Sequence, residues 1–577
     1  MFKLRRFLKK YKLQLIIGPL CKLTEAVFEL FIPLITADII DNGVANNDVG
    51  YVLQKGGLMV LLGALGLGFA LICQKSASIA SQGFGTQVRN AMFRHINSLS
   101  YQEIDKFGTP SLVTRITNDV NQLQLAVAML IRLVIRAPFL VIGALIMAMT
   151  IDLKISLIFL VASPFIALVL FLVMNRSVPF FKSIQKKLDE VSLIARENLS
   201  GNRVIRAFSK QQSEEQRFNE KNDALSRSAV IVGKISALLD PLTYVIAQAA
   251  IIAVVWFGAK FVFHGSLMSG QIIALVNYMT QILLAMIVVS NLVIIFTKAF
   301  ASAARVNEVF ETEPSVKETN RKEIAVDEKS PAIEFRNVSF AYEKNGYALK
   351  DISFQIEKGS TVGIIGGTGS GKSTLVSLIP RFYDAAEGEV LVNGNNVKDY
   401  SFSQLRNCIG IVPQTAVLFS GTIKDNIRWG KKSANEEEIA RALKISQSYE
   451  FVSKMPDKTD SMLIAGGKNL SGGQRQRLTI ARAVVSQPQI LILDDSASAL
   501  DYATDAALRK SLKEETKGTT VINVSQRVGT VRYADQIIVL DKGKIAGIGT
   551  HNELIDNCGI YREICLTQMK EEEVRNR

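Results

Sequence analysis

Apolar residues crowd into the first 300 positions, in long runs separated by charged stretches, and afterwards thin out into short clusters. Four runs hold no charged residue at all: 56–73, 155–175, 241–259 and 265–297. A helix needs roughly 18 or more such residues to cross a bilayer, so each run reads as a span. Two further segments are weaker. Residues 13–40 carry Lys22, Glu25, Glu29 and Asp38, and the run at 137–151 is preceded by Arg132 and Arg136. Six membrane helices are expected.

The connections are unequal. The stretch 41–50, DNGVANNDVG, has no basic residue, and the turns near 149–153 and 264–269 are short. By contrast 81–126 and 176–239 are long, charged and helical in pattern, too long to be plain loops. The start, MFKLRRFLKKYK, is densely basic, so the positive-inside tendency places both termini in the cytoplasm. The membrane helices are therefore expected to continue into the cytoplasm, and no cleavable signal follows the basic start.

From 311 to 330 the chain becomes polar (ETEPSVKETNRKEIAVDEKS), as a linker does. Beyond it, short apolar runs end in turns or open helices, the pattern of strands buried on both faces of an α/β sheet. The expected architecture is an α-helical six-span membrane domain at 1–310, a linker at 311–330 and an α/β domain at 331–577, a P-loop nucleotide-binding domain by its motif GGTGSGKS at 366–373.

Composition agrees with a membrane protein: 577 residues, 48% hydrophobic, with a mean hydropathy of +0.21. The net charge of +14 suits a surface facing anionic lipid head groups. No basic cluster has interleaved aromatics, so nucleic acid is not an expected partner. Cysteines at 21, 73, 408, 558 and 565 show no paired spacing for a metal or a disulfide framework.

The segment TVGIIGGTGSGKSTL at 361–375 fits G-x-x-x-x-G-K-[ST]. An apolar strand feeds a glycine-rich turn, Gly366, Gly367, Thr368, Gly369, Ser370 and Gly371, whose backbone N–H groups can wrap phosphate. Lys372 offers a point charge to the β and γ phosphates, Ser373 a hydroxyl to Mg²⁺, and the helix through Thr374 turns its positive end toward the anion. Asp494 ends the apolar run 490–493 and is placed to hold Mg²⁺ through water; the alternative role for an Asp there is a helix cap.

A second glycine turn, NLSGGQRQRLTIARAVV at 469–485, opens another helix. Its LSGGQ, Leu470, Ser471, Gly472, Gly473 and Gln474, resembles the signature sequence of the ATP-binding cassette (ABC) family. The resemblance implies further roles. Tyr342 falls where an aromatic stacks on adenine, Gln414 where a glutamine touches Mg²⁺ and the membrane-domain contact, and Ser498 to Asp501 where a loop crosses to the partner cassette. With six spans ahead of it, the chain resembles an exporter-type half-transporter. In that family two cassettes bind two ATP molecules head to tail, each between one chain's phosphate loop and the other's LSGGQ. The segments 107–120 and 197–218 resemble those bearing coupling helices, which rest on the cassettes.

The sequence departs from the family pattern at two catalytic positions. Asp495 stands where a glutamate is usual, and Gln526 where a histidine is usual. A glutamine amide can hydrogen-bond phosphate but cannot carry a titrating proton. Losing a well-placed base costs on the order of 10²–10⁴ in rate. This chain's own site is therefore expected to bind ATP and hydrolyse it weakly, while the intact LSGGQ serves a second half-transporter that carries the consensus residues. A homodimer in which Asp495 works slowly is the alternative. Ala465 likewise replaces a glutamate common before the signature.

The expected activity is ATP-driven export of small hydrophobic or amphiphilic compounds, of the multidrug kind, across the cytoplasmic membrane. Lipid or peptide export and an ATP-gated sensor or channel regulator are the alternatives. Glu25 and Glu29 lie four apart on the first span, which makes them suspects for a substrate path; a structural pairing of Lys22 with Glu25 is favoured over that reading.

Overall fold

The computed structural model describes residues 2–318, 324–325, 327, 329–342 and 346–569, so parts of the expected linker (319–323, 326 and 328) lie outside the described residues. The chain divides into two compact units. Met1–Asn97 joins Thr109–Thr312 in the first, and Ser98–Gly108 joins Glu313–Arg577 in the second.

Helices build the described part of the first unit. Five are long and apolar enough to cross a membrane: Val49–Ile96, Thr109–Ile151, Leu153–Ser177, Gln211–Phe263 and Ser269–Glu311. Helix Val49–Ile96 runs for 48 residues and Leu153–Ala207 for 55. At 1.5 Å per residue these reach about 70 to 80 Å, against a hydrocarbon core of about 30 Å, so the charged stretches prolong the spans as helix. Aspartates start two of them: Asp48 accepts the Tyr51 N–H at 3.0 Å, and Asp152 the Ile155 N–H at 2.8 Å.

Helix Lys12–Asp38 is long enough for a sixth span, but its charges keep it out of that set. Those charges are paired. Lys22 meets Glu25 at 2.6 Å, Glu29 meets Arg136 at 2.6 Å and Asp38 meets Lys55 at 2.6 Å. The first of these is the structural pairing favoured from sequence; the Glu29 partner was not foreseen. Deeper in the unit Tyr278 is fully buried and donates its hydroxyl to the Leu30 carbonyl at 2.6 Å. Buried Asp119 accepts from Ser302 Oγ at 2.9 Å and from Arg305 through two guanidinium nitrogens, tying the turn Arg115–Asp119 to helix Ser269–Glu311.

The second unit holds two principal sheets. One has six strands in the order Lys544–Gly549, Gln536–Asp541, Thr361–Gly366, Thr520–Ser525, Ile490–Asp494, Ile409–Val412. All neighbours in it run parallel except the first pair, and the central strands are buried along nearly their whole length. The other is antiparallel, built on Leu349–Ile356, Ile333–Phe340 and Glu387–Val392. Their shared core includes Phe335 stacked on Phe354 with centroids 4.6 Å apart.

One expected segment is placed differently. Helix Tyr101–Phe107, not 107–120, packs within the second unit. The reason is local: Ser100 and Glu103 cap this helix, Gly108 at φ 74° ends it, and Tyr101 lies 4.6 Å from the Phe382 ring. Residues 109–120 belong to the first unit, as do 197–218, where Leu199 and Phe208 are strongly exposed.

Candidate nucleotide-binding site

Four parallel strands end side by side: Thr361–Gly366, Thr520–Ser525, Ile490–Asp494 and Ile409–Val412. In parallel α/β sheets the crevice beyond the carboxyl ends is where ligands bind. The residues just past these ends are the phosphate-loop turn, Gln526, Asp495 and, two on from Val412, Gln414. One sheet edge thus collects residues more than a hundred positions apart.

The phosphate loop is held open by backbone conformation. Gly369 and Gly371 have φ of 77° and 99°, the left-handed region a side chain disfavours, and Gly371 precedes helix Lys372–Leu378. A side chain at 371 would also strike Leu349, at 2.7 Å. Lys372 is buried and its ammonium donates to the carbonyls of Gly366 at 2.9 Å and Gly367 at 2.7 Å. Burial pulls its pKa down, against the opposing charges of Asp495 and Asp494. Ser370 is buried, while Gly367, Thr368 and Gly369 face outward.

Ser373 Oγ donates to Asp494 Oδ1 at 3.1 Å. Asp495 has φ 46°, and its N–H donates to the Val524 carbonyl at 2.9 Å, so its backbone is pinned to the neighbouring strand. Gln414 Nε2 lies 3.4 Å from Asp495 Oδ2, which leaves its amide oxygen as an available acceptor. Across the crevice Thr368 Oγ1 lies 3.4 Å from Gln526 Oε1. Tyr342 is half-exposed; its hydroxyl meets Thr374 Oγ1 at 2.9 Å and its ring meets Tyr383 edge-on at 5.3 Å.

The signature segment opens helix Gly472–Val484. Ser471 accepts the Gln474 N–H at 3.3 Å while Gln474 Oε1 accepts the Ser471 N–H at 2.9 Å, a reciprocal cap. Leu470 is buried beneath it, and Ala465 sits in the short turn Ala465–Gly467 just upstream.

A family model described as the ABC transporter transmembrane region matches residues 15–286, and a model described as ABC transporter matches residues 349–498. The ABC transporter ATP-binding protein YfiB of Bacillus subtilis is 37% identical over 573 residues, covering 99% of each chain. This chain belongs to the ABC transporter family. It is a half-transporter, with one membrane domain and one nucleotide-binding domain in a single polypeptide, and that second domain binds ATP. An ABC transporter ATP-binding protein of Mycobacterium tuberculosis is 36% identical over 573 residues, covering 98% of this half-transporter and 97% of the relative. Among solved structures, that of a bacterial Atm1-family ABC exporter with ATP bound superposes with a TM-score of 0.78 at 24% identity, over 98% of this chain and 99% of that one. The half-transporter therefore has the exporter fold.

Sequence reading missed several residues around the site. Gln102 donates to the Tyr342 carbonyl at 3.1 Å, and Asp105 accepts from the Tyr383 hydroxyl at 3.2 Å, so the capped helix Tyr101–Phe107 holds both tyrosines of the edge-on pair, one bond to each. Gln568 donates to the Gln526 carbonyl at 2.7 Å and accepts the Val528 N–H at 2.9 Å. Nothing local in the sequence pairs positions 42 apart; the capping pattern at Ser100 and Glu103 was the available signal for the first.

Proposed function

We propose that this half-transporter exports small hydrophobic or amphiphilic compounds across the cytoplasmic membrane, with both termini in the cytoplasm, as one half of a heterodimer. Its own phosphate-loop site holds ATP with Mg²⁺ and hydrolyses it weakly; its LSGGQ completes the productive site of a second half-transporter. The observation that carries this reading is the pair Asp495 and Gln526. Asp495 is fixed through its backbone to Val524, so the missing methylene cannot be recovered by a shift of the chain. Gln526 faces Thr368 with an amide.

The rest of the site favours binding over turnover. Ser373, Asp494 and the Gln414 amide oxygen make an all-oxygen donor set suited to Mg²⁺, which would neutralise charge between the phosphates. Lys372 and the loop amides hold the phosphates, and Tyr342 offers a ring to the base.

The substrate class rests on the membrane unit. A cavity of about 390 Å³ is lined by Pro138, Val141, Leu170, Phe171, Met286 and Val293, with Ser290 as a polar point. Glu29, the acid that would attract a cation, is neutralised by Arg136. Apolar compounds without a required positive charge fit this lining best.

The test is purification through a tag on this chain from its own membranes. A distinct subunit of similar size should copurify, and the complex should hydrolyse ATP at least tenfold faster than this chain alone. Brisk hydrolysis and efflux by the single subunit would sink the proposal.

A further inference from the structure

The loop Ser498–Asp501 is held from two sides. On one side Gly473, in the helix that LSGGQ opens, comes so close that a Cβ there would lie 3.1 Å from the Ala499 carbonyl oxygen. On the other side Arg527, the residue after Gln526, donates through its guanidinium to the Ser498 carbonyl at 3.2 Å. The same guanidinium lies 5.6 Å from the Tyr502 ring centroid, at the start of helix Tyr502–Glu515.

Each end of this connection is anchored. Gln526 and Arg527 follow the buried strand Thr520–Ser525, with the Arg527 N–H on Ser525 Oγ at 3.0 Å and the Gln526 carbonyl held by Gln568. Ser498 Oγ donates to the Asp495 carbonyl at 2.8 Å, and Asp501 caps the next helix through the Thr504 N–H at 2.8 Å. Asp505, buried one turn further, meets Arg509 at 3.2 Å, and Arg509 donates to the Gly529 carbonyl at 2.9 Å. Arg527 thus ties the strand end bearing Gln526 to the loop beside LSGGQ, and Arg509 ties the helix after that loop to Gly529. Arg527 is the one that touches the loop itself.

We infer that Arg527 is a positioning residue that carries the state of this chain's own nucleotide site, sensed at Gln526, through Ser498 to the LSGGQ this chain lends its partner. The inference rests on the heterodimer reading above. A guanidinium suits the task because it keeps its charge and places several donors in one plane, so it can hold a carbonyl and lie against a ring together. Arg527 touches no phosphate in this scheme. It sets the loop against Gly473, and through it the pose of Ser471 and the turn that faces the partner's nucleotide.

The test uses the complex purified through a tag on this chain, with 8-azido-ATP as the probe. Photolabelling without turnover reports binding at each subunit, and labelling after vanadate trapping reports which subunit hydrolyses. In the wild type, trapped label should fall on the partner. With Arg527→Met, trapping on the partner and kcat should drop at least tenfold, while KM for ATP and the binding label on this chain stay within twofold. Arg527→Lys, which keeps a charged donor, should recover part of the loss. Trapping on the partner that is unchanged in Arg527→Met, or binding label lost together with trapping in both variants, would overturn the role of Arg527. Trapped label on this chain in the wild type would instead overturn the heterodimer reading on which it rests.

Discussion

The hydroxyl of Ser373 donates to the Asp494 carboxylate at 3.1 Å, across 121 positions of sequence. Burial raises the Asp494 pKa above its ordinary value of 3.8, the neighbouring Asp495 charge adds to this, and Ser373 and Lys372 oppose it. The sign has two consequences. Because the folded chain holds the Asp494 proton more tightly than the unfolded chain, this group's contribution to stability falls as pH rises from 3.8 through the folded pKa. Affinity for Mg²⁺ with ATP runs the other way over that window, since metal binding needs the carboxylate. Titrating Mg·ATP affinity against pH should therefore show a loss beginning above the usual carboxylate range, and Asp494→Asn should bind weakly with a flat profile there.

Restoring the usual catalytic pair should restore turnover at this chain's own site. Asp495→Glu with Gln526→His is expected to raise hydrolysis at that site at least about a hundredfold, within the range of about 10²–10⁴ for a well-placed base. The measure is vanadate trapping of nucleotide on this subunit. Each single change should give less than the pair, because water activation and γ-phosphate contact act together.

The phosphate loop and LSGGQ were readable because each is a short local motif with its strand or helix beside it. Asp495 and Gln526 stand out only against the family pattern that those motifs imply. What sequence could not give were pairs set by tertiary packing. Arg136 looked only like a flaw in an apolar run, yet it closes on Glu29 from another helix. The stretch 107–120 starts six residues after Tyr101, where the helix that packs within the second unit begins, because the capping box of Ser100 and Glu103 sets that start.

Glu29 and Arg136 should behave as a coupled pair. Glu29→Gln or Arg136→Met leaves one charge in the membrane unit without its partner, and the double variant removes both. A thermal-stability cycle in detergent should show the double variant losing less than the sum of the singles, with a coupling energy of about 1–3 kcal/mol. Additive losses would mean the ion pair carries no energy.

Glu103 is buried and receives two backbone N–H groups, from Ser100 at 3.0 Å and from Ser315 at 3.2 Å. Glu103→Ala leaves both donors unpaired and should cost about 1–3 kcal/mol, seen as a lower unfolding temperature and faster proteolysis near Ser315. Glu103→Gln, which keeps an acceptor oxygen, should lose less.

The polypeptide enters its nucleotide-binding unit twice, once as Ser98–Gly108 and again from Glu313. A fragment begun at residue 331 would lack Tyr101 and leave the Phe382 and Tyr383 rings with one face bare to water. Severing the chain only between the two units' main bodies would likewise leave the pieces tethered through the earlier passage. For this half-transporter, excision of a self-sufficient motor is not a matter of choosing a cut site: the engine's casing includes a strip that the membrane half must first make.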